Sequence, residues 1–204
     1  MRGRSRAAGE ASGPTTRERL IEAAAAVIAE EGYEGAGTQA IARRAGLTNG
    51  AIYANFRDKS ELLAEAVEVY LTRIFARLDD ARRAGASPAQ VVTRMTHRLA
   101  VDTAERDRRL LTEAMAAARR DPEVAVRVRD LVAKVEAYEA GMVAQARADG
   151  DIAEDVDPAA MARFATAVSL GYHLLHTAGV PDPDPASWVA VLTRMAASLR
   201  TRPE

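Results

Sequence analysis

The sequence predicts an all-α chain of about nine helices, and three observations carry that prediction. Alanine supplies 45 of the 204 residues and the aromatic residues number only nine. That composition favours helices, where Ala loses no side-chain entropy, over sheets that draw on β-branched and aromatic side chains. Cap residues followed by proline recur at Ser87-Pro88, Asp121-Pro122, Asp157-Pro158 and Asp184-Pro185. Proline suits a first helical position because its missing N–H would have no intrahelical partner. No stretch alternates apolar and polar residues over strand length, and no solenoid-type repeat is visible.

Residues 1–13 carry Arg2, Arg4 and Arg6 without the apolar segment of a secretory signal, and read as a disordered basic arm. Thr15 with Glu18 makes a capping-box pattern. Behind it Leu20, Ala24, Val27 and Ile28 share one face of a first helix, which Gly32 should stop. Thr38 is the N-cap expected for a short second helix bearing Ile41 and Ala45, and Gly46 ends it in the left-handed conformation. Thr48 caps a third helix running to about Phe56. Asp58 with Glu61 opens a fourth through Leu62, Val67, Leu71, Ile74 and Leu78. The four cap-proline pairs begin the later helices, with a further break near Arg106-Asp107 dividing 88–119 in two. The uncharged run Phe164 to Pro181 is long enough to span a bilayer, but Ser169, His173, His176 and two Thr make it expensive in hydrocarbon. It reads as a buried helix rather than a membrane anchor.

The absence of cysteine removes disulfides, thiolate metal sites and Cys nucleophiles, and fits a reducing cytoplasm. The formal net charge of −1 is uneven: residues 1–60 carry 9 basic and 7 acidic side chains, the remainder 19 and 22. So small a basic excess is weak support for nucleic-acid binding by itself, because such binding leans on clustered cations that displace phosphate counterions.

The informative segment is Thr38 to Phe56, two short helices joined by a tight turn at Gly46-Leu47, which is a helix-turn-helix pattern. At 100° per residue, Ile52 and Phe56 fall on the bundle side while Gly50 and Ala54 point away, flanked by Ala51 and Tyr53. An outward face small in the middle lets the backbone approach the floor of a major groove, with Tyr53 and Asn55 at its edges.

Together with the helix before it and Arg57-Asp-Lys-Ser-Glu-Leu-Leu63 after it, this segment resembles the TetR family of transcriptional repressors. The run Gly-Leu-Thr-x-Gly-x-Ile-Tyr-x-x-Phe followed by x-x-Lys-x-Glu-Leu-Leu carries the likeness, which covers roughly residues 15–63. The resemblance implies a DNA-binding domain over 14–62 and a ligand-binding and dimerisation domain over 63–204. It also implies DNA roles residue by residue. Thr38 would offer its hydroxyl and backbone N–H to a phosphate, with Gln39 beside it. Thr48 and Asn49 open the recognition helix, Asn49 reading adenine or binding phosphate. Gly50 and Ala51 would touch backbone or a thymine methyl, and Tyr53, Asn55 and Lys59 would bind phosphates. Positions 49 and 51 are often basic and Thr in the family, whereas here they are Asn and Ala. Affinity would then rest on Lys59, Arg43, Arg44, Arg57 and the N-terminal arm.

The family also implies a homodimer on an inverted-repeat operator of double-stranded DNA. Phe164, Val168, Tyr172 and Leu175 line one face of the penultimate helix, and Trp188, Val191, Leu192, Met195 and Leu199 line one face of the last. Such stripes suit a four-helix dimer interface, although a stripe looks the same when its own chain covers it. A pocket for a small, mainly apolar effector is expected among the middle helices. Its candidate lining is Phe75, Met95, Leu99, Met115, Tyr138 and Met142, with His97, His173 or Tyr138 as polar anchors. His173-Leu-Leu-His176 offers too few ligands for a closed metal site, and neither metal nor cofactor is expected. An enzyme is disfavoured by the lack of Gly-x-Ser-x-Gly, metal-ligand and Gly-rich phosphate motifs. A helix-turn-helix DNA binder without a small-molecule ligand stays open as the alternative.

Overall fold

The computed structural model describes residues 13–84 and 104–200, which contain eight helices and no strand. The helix expected after Ser87-Pro88 lies outside the described residues, as do Met95, His97, Leu99 and the arm residues Arg2, Arg4 and Arg6. The described helices are α1 (Thr16–Gly35), α2 (Thr38–Arg44), α3 (Asn49–Asn55), α4 (Lys59–Arg83), α5 (Glu105–Ala118), α6 (Pro122–Ala148), α7 (Pro158–Thr177) and α8 (Pro185–Ser198).

Local sequence accounts for most boundaries. Thr15 Oγ1 accepts from the Glu18 N–H at 3.2 Å while Glu18 accepts from the Thr15 N–H at 2.8 Å, so the capping box forms as expected. Asp58 Oδ1 accepts from the Glu61 N–H at 2.7 Å ahead of α4. Asp121, Asp157 and Asp184 each cap a helix that has proline in its first turn. Two boundaries depart from expectation, and one expected cap lacks its side-chain bond. Gly37, not Thr38, is the N-cap of α2, because Gly37 is the extended residue and Thr38 is already helical. Ala104 stands immediately before α5, so the break near Arg106-Asp107 falls slightly earlier. Thr48 has N-cap backbone geometry, yet its side chain makes no capping bond.

Gly32 breaks α1 at φ 77°, and a final helical turn follows to Gly35. The backbone N–H freed at that kink, on Tyr33, donates to Glu113 Oε2 of α5 at 3.0 Å. The break therefore docks the front of the molecule on the rear.

The front unit packs α1, α2 and α3 around Leu20, Ala24, Ile28, Ile41, Ile52 and Phe56, all buried, with Leu62 and Leu63 of α4 closing the core. The rear unit is a bundle in which α6 packs against α7 and α5, and α4 lies against α6 and α1. One core runs through both units, from Leu20 to Leu131 and Met142. Among the described residues no helix is long and apolar enough to cross a membrane.

Candidate nucleic-acid interface and ligand cavity

The turn between α2 and α3 is a left-handed glycine cap. Gly46 sits at φ 66°, its N–H reaching Arg43 O at 3.0 Å, and the Leu47 N–H reaches Ala42 O at 2.9 Å. That pair of bonds satisfies the last carbonyls of α2 and turns the chain sharply into α3. Two arginines of α1 then hold the motif from behind. Arg19 donates to Ala45 O at 2.6 Å, at the end of α2. Arg17 donates to Asn55 O at 2.7 Å, at the end of α3, lies 4.4 Å over the Phe56 ring and pairs with Glu65 of α4 at 2.7 Å. Each guanidinium sits at the negative end of a helix, where a cation is stabilising. Neither arginine was anticipated from sequence. The available signal was their position in the first turn of α1, together with an α3 that ends without a cation of its own.

Ile52 and Phe56 anchor α3 inward, buried to 1% and 3% exposure. The opposite face carries Gly50, Tyr53 and Ala54, all exposed, with Tyr53 62% exposed. No side chain longer than Ala stands between the α3 backbone and solvent along the centre of that face. Thr48 and Gln39 are exposed on the same side of the motif, and Thr38, Asn49 and Ala51 are half-buried. Asn49 Oδ1 is covered and has no hydrogen-bond partner. Asn55 Nδ2 donates back to Ala51 O at 2.8 Å within its own helix.

The cations that were to supply affinity are differently placed. Lys59 Nζ donates to Tyr33 O at 2.6 Å and lies 4.3 Å over the Tyr33 ring, capping the end of α1. Burial holds its ammonium below the usual lysine range. Arg44 makes a two-pronged pair with Glu30, at 2.6 and 2.9 Å, and Arg57 pairs with Glu61 at 3.4 Å. Arg43 is exposed at the end of α2.

Behind the front unit, residues of α4, α5, α6 and α7 line a partly open apolar cavity of about 60 Å3. Val67, Tyr70 and Leu71 line it from α4, Leu111 and Met115 from α5, Val128 and Leu131 from α6, and Leu170 from α7. Of the described residues expected to line a pocket, only Met115 does so. Phe75 and Tyr138 instead stack on each other with ring centres 4.2 Å apart, and the Tyr138 hydroxyl donates to Asp79 at 2.7 Å. Met142 is core. His173 is fully buried one turn along α7 from Ser169, whose hydroxyl it meets at 3.4 Å through Nε2. Burial, then the charges of Arg108 and His176, hold its pKa down to about 4.

The polar side chains in the described lining are others: Tyr70, Glu139, Thr166 and Ser169. Sequence reading passed over Glu139 because a glutamate is normally solvated. Its signal was positional, since it continues the stripe of Val128, Leu131, Met142 and Ala146 that faces the core. His176, the other half of the His pair, is held between Asp182 at 2.9 Å and Glu105 at 2.7 Å, and both hydrogen bonds raise its pKa.

On the last two helices, Phe164, Leu175, Val191 and Met195 are exposed, and Val168, Tyr172, Trp188 and Leu199 are half-buried. Leu192 differs: it turns inward and is buried by its own chain. Tyr172 and Trp188 pack against each other at 5.5 Å across α7 and α8.

Comparison with known proteins agrees with this geometry. The model of bacterial regulatory proteins of the tetR family matches residues 20–66, and that of the tetracyclin repressor-like C-terminal domain matches residues 87–193. The HTH-type transcriptional repressor KstR of Mycobacterium tuberculosis is 34% identical over 139 residues, covering 68% of this chain and 61% of the repressor. The chain thus spans about three fifths of that curated relative. Among solved structures, Salmonella enterica GusR shares the fold with a TM-score of 0.76 at 22% identity, over 94% of this chain and 98% of that one. A chain from Saccharomonospora viridis in complex with choline does so with a TM-score of 0.71 at 20% identity, over 89% and 95%. With the second model alone spanning just over half of its length, the chain belongs to the TetR family of bacterial regulatory proteins.

Proposed function

We propose that the chain is a cytoplasmic transcriptional repressor that binds an inverted-repeat operator as a homodimer and leaves it when a small, mainly apolar molecule occupies the rear domain. The observation that carries this reading is the outward face of α3. A short helix is pinned at its end by Arg17 and anchored by Ile52 and Phe56, and it presents Gly50 and Ala54 to solvent at the centre of its outward face with Tyr53 beside them, so that its backbone can approach a groove floor. Gln39, Thr48, Asn49, Ala51 and Asn55 surround that face, with Thr38 at the start of α2, where N–H groups favour a phosphate. Lys59 acts first on the end of α1 and so positions the motif, leaving Arg43 and the N-terminal arginines to supply phosphate attraction.

Dimerisation rests on α7 and α8, where Phe164, Leu174, Leu175, Val191 and Met195 are exposed together. Large apolar side chains left exposed on both helices fit a protein interface, and two copies related by a two-fold axis would cover them.

α4 is the element able to couple the two functions. Its first turn is held to the front unit by Lys59 and to α6 by Arg127, which reaches Ser60 at 3.0 Å and Asp58 at 3.5 Å. Two turns on, Val67, Tyr70 and Leu71 form a cavity wall. A ligand that favours one position of α4 shifts the spacing of the two α3 helices, provided it binds that position more tightly.

The test is selection of DNA from a genomic pool by the purified protein, followed by release with a panel of small molecules. Enrichment of an inverted repeat with release supports the reading. Enrichment without release supports a DNA binder that no small molecule controls, and failure to enrich any inverted repeat at low salt sinks it.

A further inference from the structure

The cavity wall contains a carboxyl group that an effector made only of hydrocarbon would leave without a partner. Glu139 is fully buried on α6 and lines the cavity among Val67, Leu111, Val128 and Leu131. Its Oε2 accepts a hydrogen bond from the Thr166 hydroxyl of α7 at 3.1 Å, whereas Oε1 is covered and has no partner. Among the described lining residues there is no Lys, Arg or His. The neighbouring charge acting on Glu139 is a like one, Glu136, a turn back on its own helix. From α4 the ionisable lining group is Tyr70, from α5 the lining is Leu111, Ala114 and Met115, and from α7 it is Thr166, Ser169 and Leu170. A buried carboxyl with one open oxygen and no counter-charge is costly to keep, and a ligand able to supply both a donor and a positive charge removes both deficits at once.

We propose that Glu139 is the polar anchor of the effector site and that the effector is an apolar amine, its ammonium donating to Oε1 while Thr166 holds Oε2. This deepens the effector-controlled reading above and rests on it. An alcohol supplies the donor but no charge. A carboxylate or phosphate head brings like charge to a position where the described lining supplies no cation, which disfavours anionic effectors there. The cavity of about 60 Å3 admits roughly four to six water-sized groups, which sets the scale of the amine-bearing end. No covalent bond changes on binding. The ligand arrives as the ammonium, and any proton that Glu139 carries beforehand passes to solvent.

The experiment is an NMR titration of the full chain with n-pentylamine, 1-pentanol and pentanoate, read at the methyl groups of Val67, Leu111, Met115 and Leu131, with the Glu139→Gln protein in parallel. Pentylamine is expected to bind roughly tenfold or more tightly than pentanol, with pentanoate weakest, and Glu139→Gln should bring pentylamine down to the level of pentanol. The comparison of the three ligands in the unaltered protein stands whether or not the variant folds. The proposal is overturned if pentanoate binds as tightly as pentylamine, if Glu139→Gln binds pentylamine unchanged, or if pentylamine does not shift these methyl groups. DNA release is read separately on an operator fragment. Amine binding without release refutes the release mechanism and leaves the anchor standing, while release by other ligands with no amine site does the reverse.

Discussion

Replacing Glu139 by Gln should stabilise the protein above neutral pH and leave it little changed in acid. Burial raises the Glu139 pKa from the ordinary 4.5 to about 7, opposed by the Thr166 hydrogen bond and reinforced by the Glu136 charge. Below about pH 4.5 the carboxyl is protonated both folded and unfolded, and contributes nothing to pH dependence. Between that point and pH 7 the folded chain keeps a proton that the unfolded chain releases, so stability falls as pH rises; above 7 the loss is complete. At about 1.4 kcal/mol for each tenfold displacement, the cost reaches about 3 kcal/mol. His173 acts in the opposite sense. Its pKa is held down from 6.5 to about 4, so the unfolded chain takes up a proton that the folded one refuses, and stability is lost as pH falls from 6.5 to 4. The two effects oppose each other between about pH 4.5 and 6.5, and their part of the profile is nearly flat there. Glu139→Gln removes the falling limb and exposes the rising one, while His173→Gln does the converse. The assay is urea unfolding from pH 4 to pH 8 at one protein concentration, since the stability of the proposed dimer would depend on concentration. The reasoning is refuted if the stability difference between Glu139→Gln and the unaltered protein stays constant across that range.

Gly46→Ala should destabilise the front unit by about 1–2 kcal/mol, because a residue with a Cβ is strained at positive φ, and the added carbon lies 3.2 Å from the Arg19 guanidinium. A lower thermal midpoint checks it. Arg17→Ala should weaken operator binding by releasing the end of α3 and should also lower stability, whereas Lys at 17 should restore only part of both, lacking the fork that reaches Asn55 and Glu65 together; DNA titration and thermal melts separate the two effects. If the proposed dimer forms through α7 and α8, Val191→Glu should convert it to monomer in sedimentation while leaving the monomer helical, since Val191 is exposed on its own chain. Leu192→Glu should unfold instead, because that side chain is buried by its own subunit.

Punctuation was the most legible part of the fold. The Asp-Pro starts and Gly46 follow from local backbone chemistry and needed no tertiary information. Thr38 misled because a threonine before an apolar face looks like a cap, yet the extended residue is Gly37 and the threonine is the first helical one. On the α3 face, the period of 3.6 separated Ile52 and Phe56 from Gly50 and Ala54 correctly. The roles of Lys59, Arg17 and Arg19 were not readable, because each depends on which helix end lies opposite it in space. Composition pointed to Met and aromatic side chains for the cavity, but Phe75 and Tyr138 satisfy each other. The group of chemical consequence, Glu139, was visible only through its position on an apolar stripe. Leu192 shows the limit of the same device: a stripe says that a side chain is covered, and its partner is set by the packing of the whole chain.

The central claim is that α3 reads DNA, and the most direct measurement compares the unaltered protein with Asn49→Ala and Tyr53→Phe on the fragments that genomic selection enriches, against a scrambled set at the same salt. The account predicts an inverted repeat bound by the unaltered protein, a loss for Tyr53→Phe that is similar on every fragment, and an altered base preference for Asn49→Ala. Equal losses on all sequences for Asn49→Ala would reassign that residue to a phosphate. If both variants bind every fragment as the unaltered protein does, α3 is not the reading helix and the account fails.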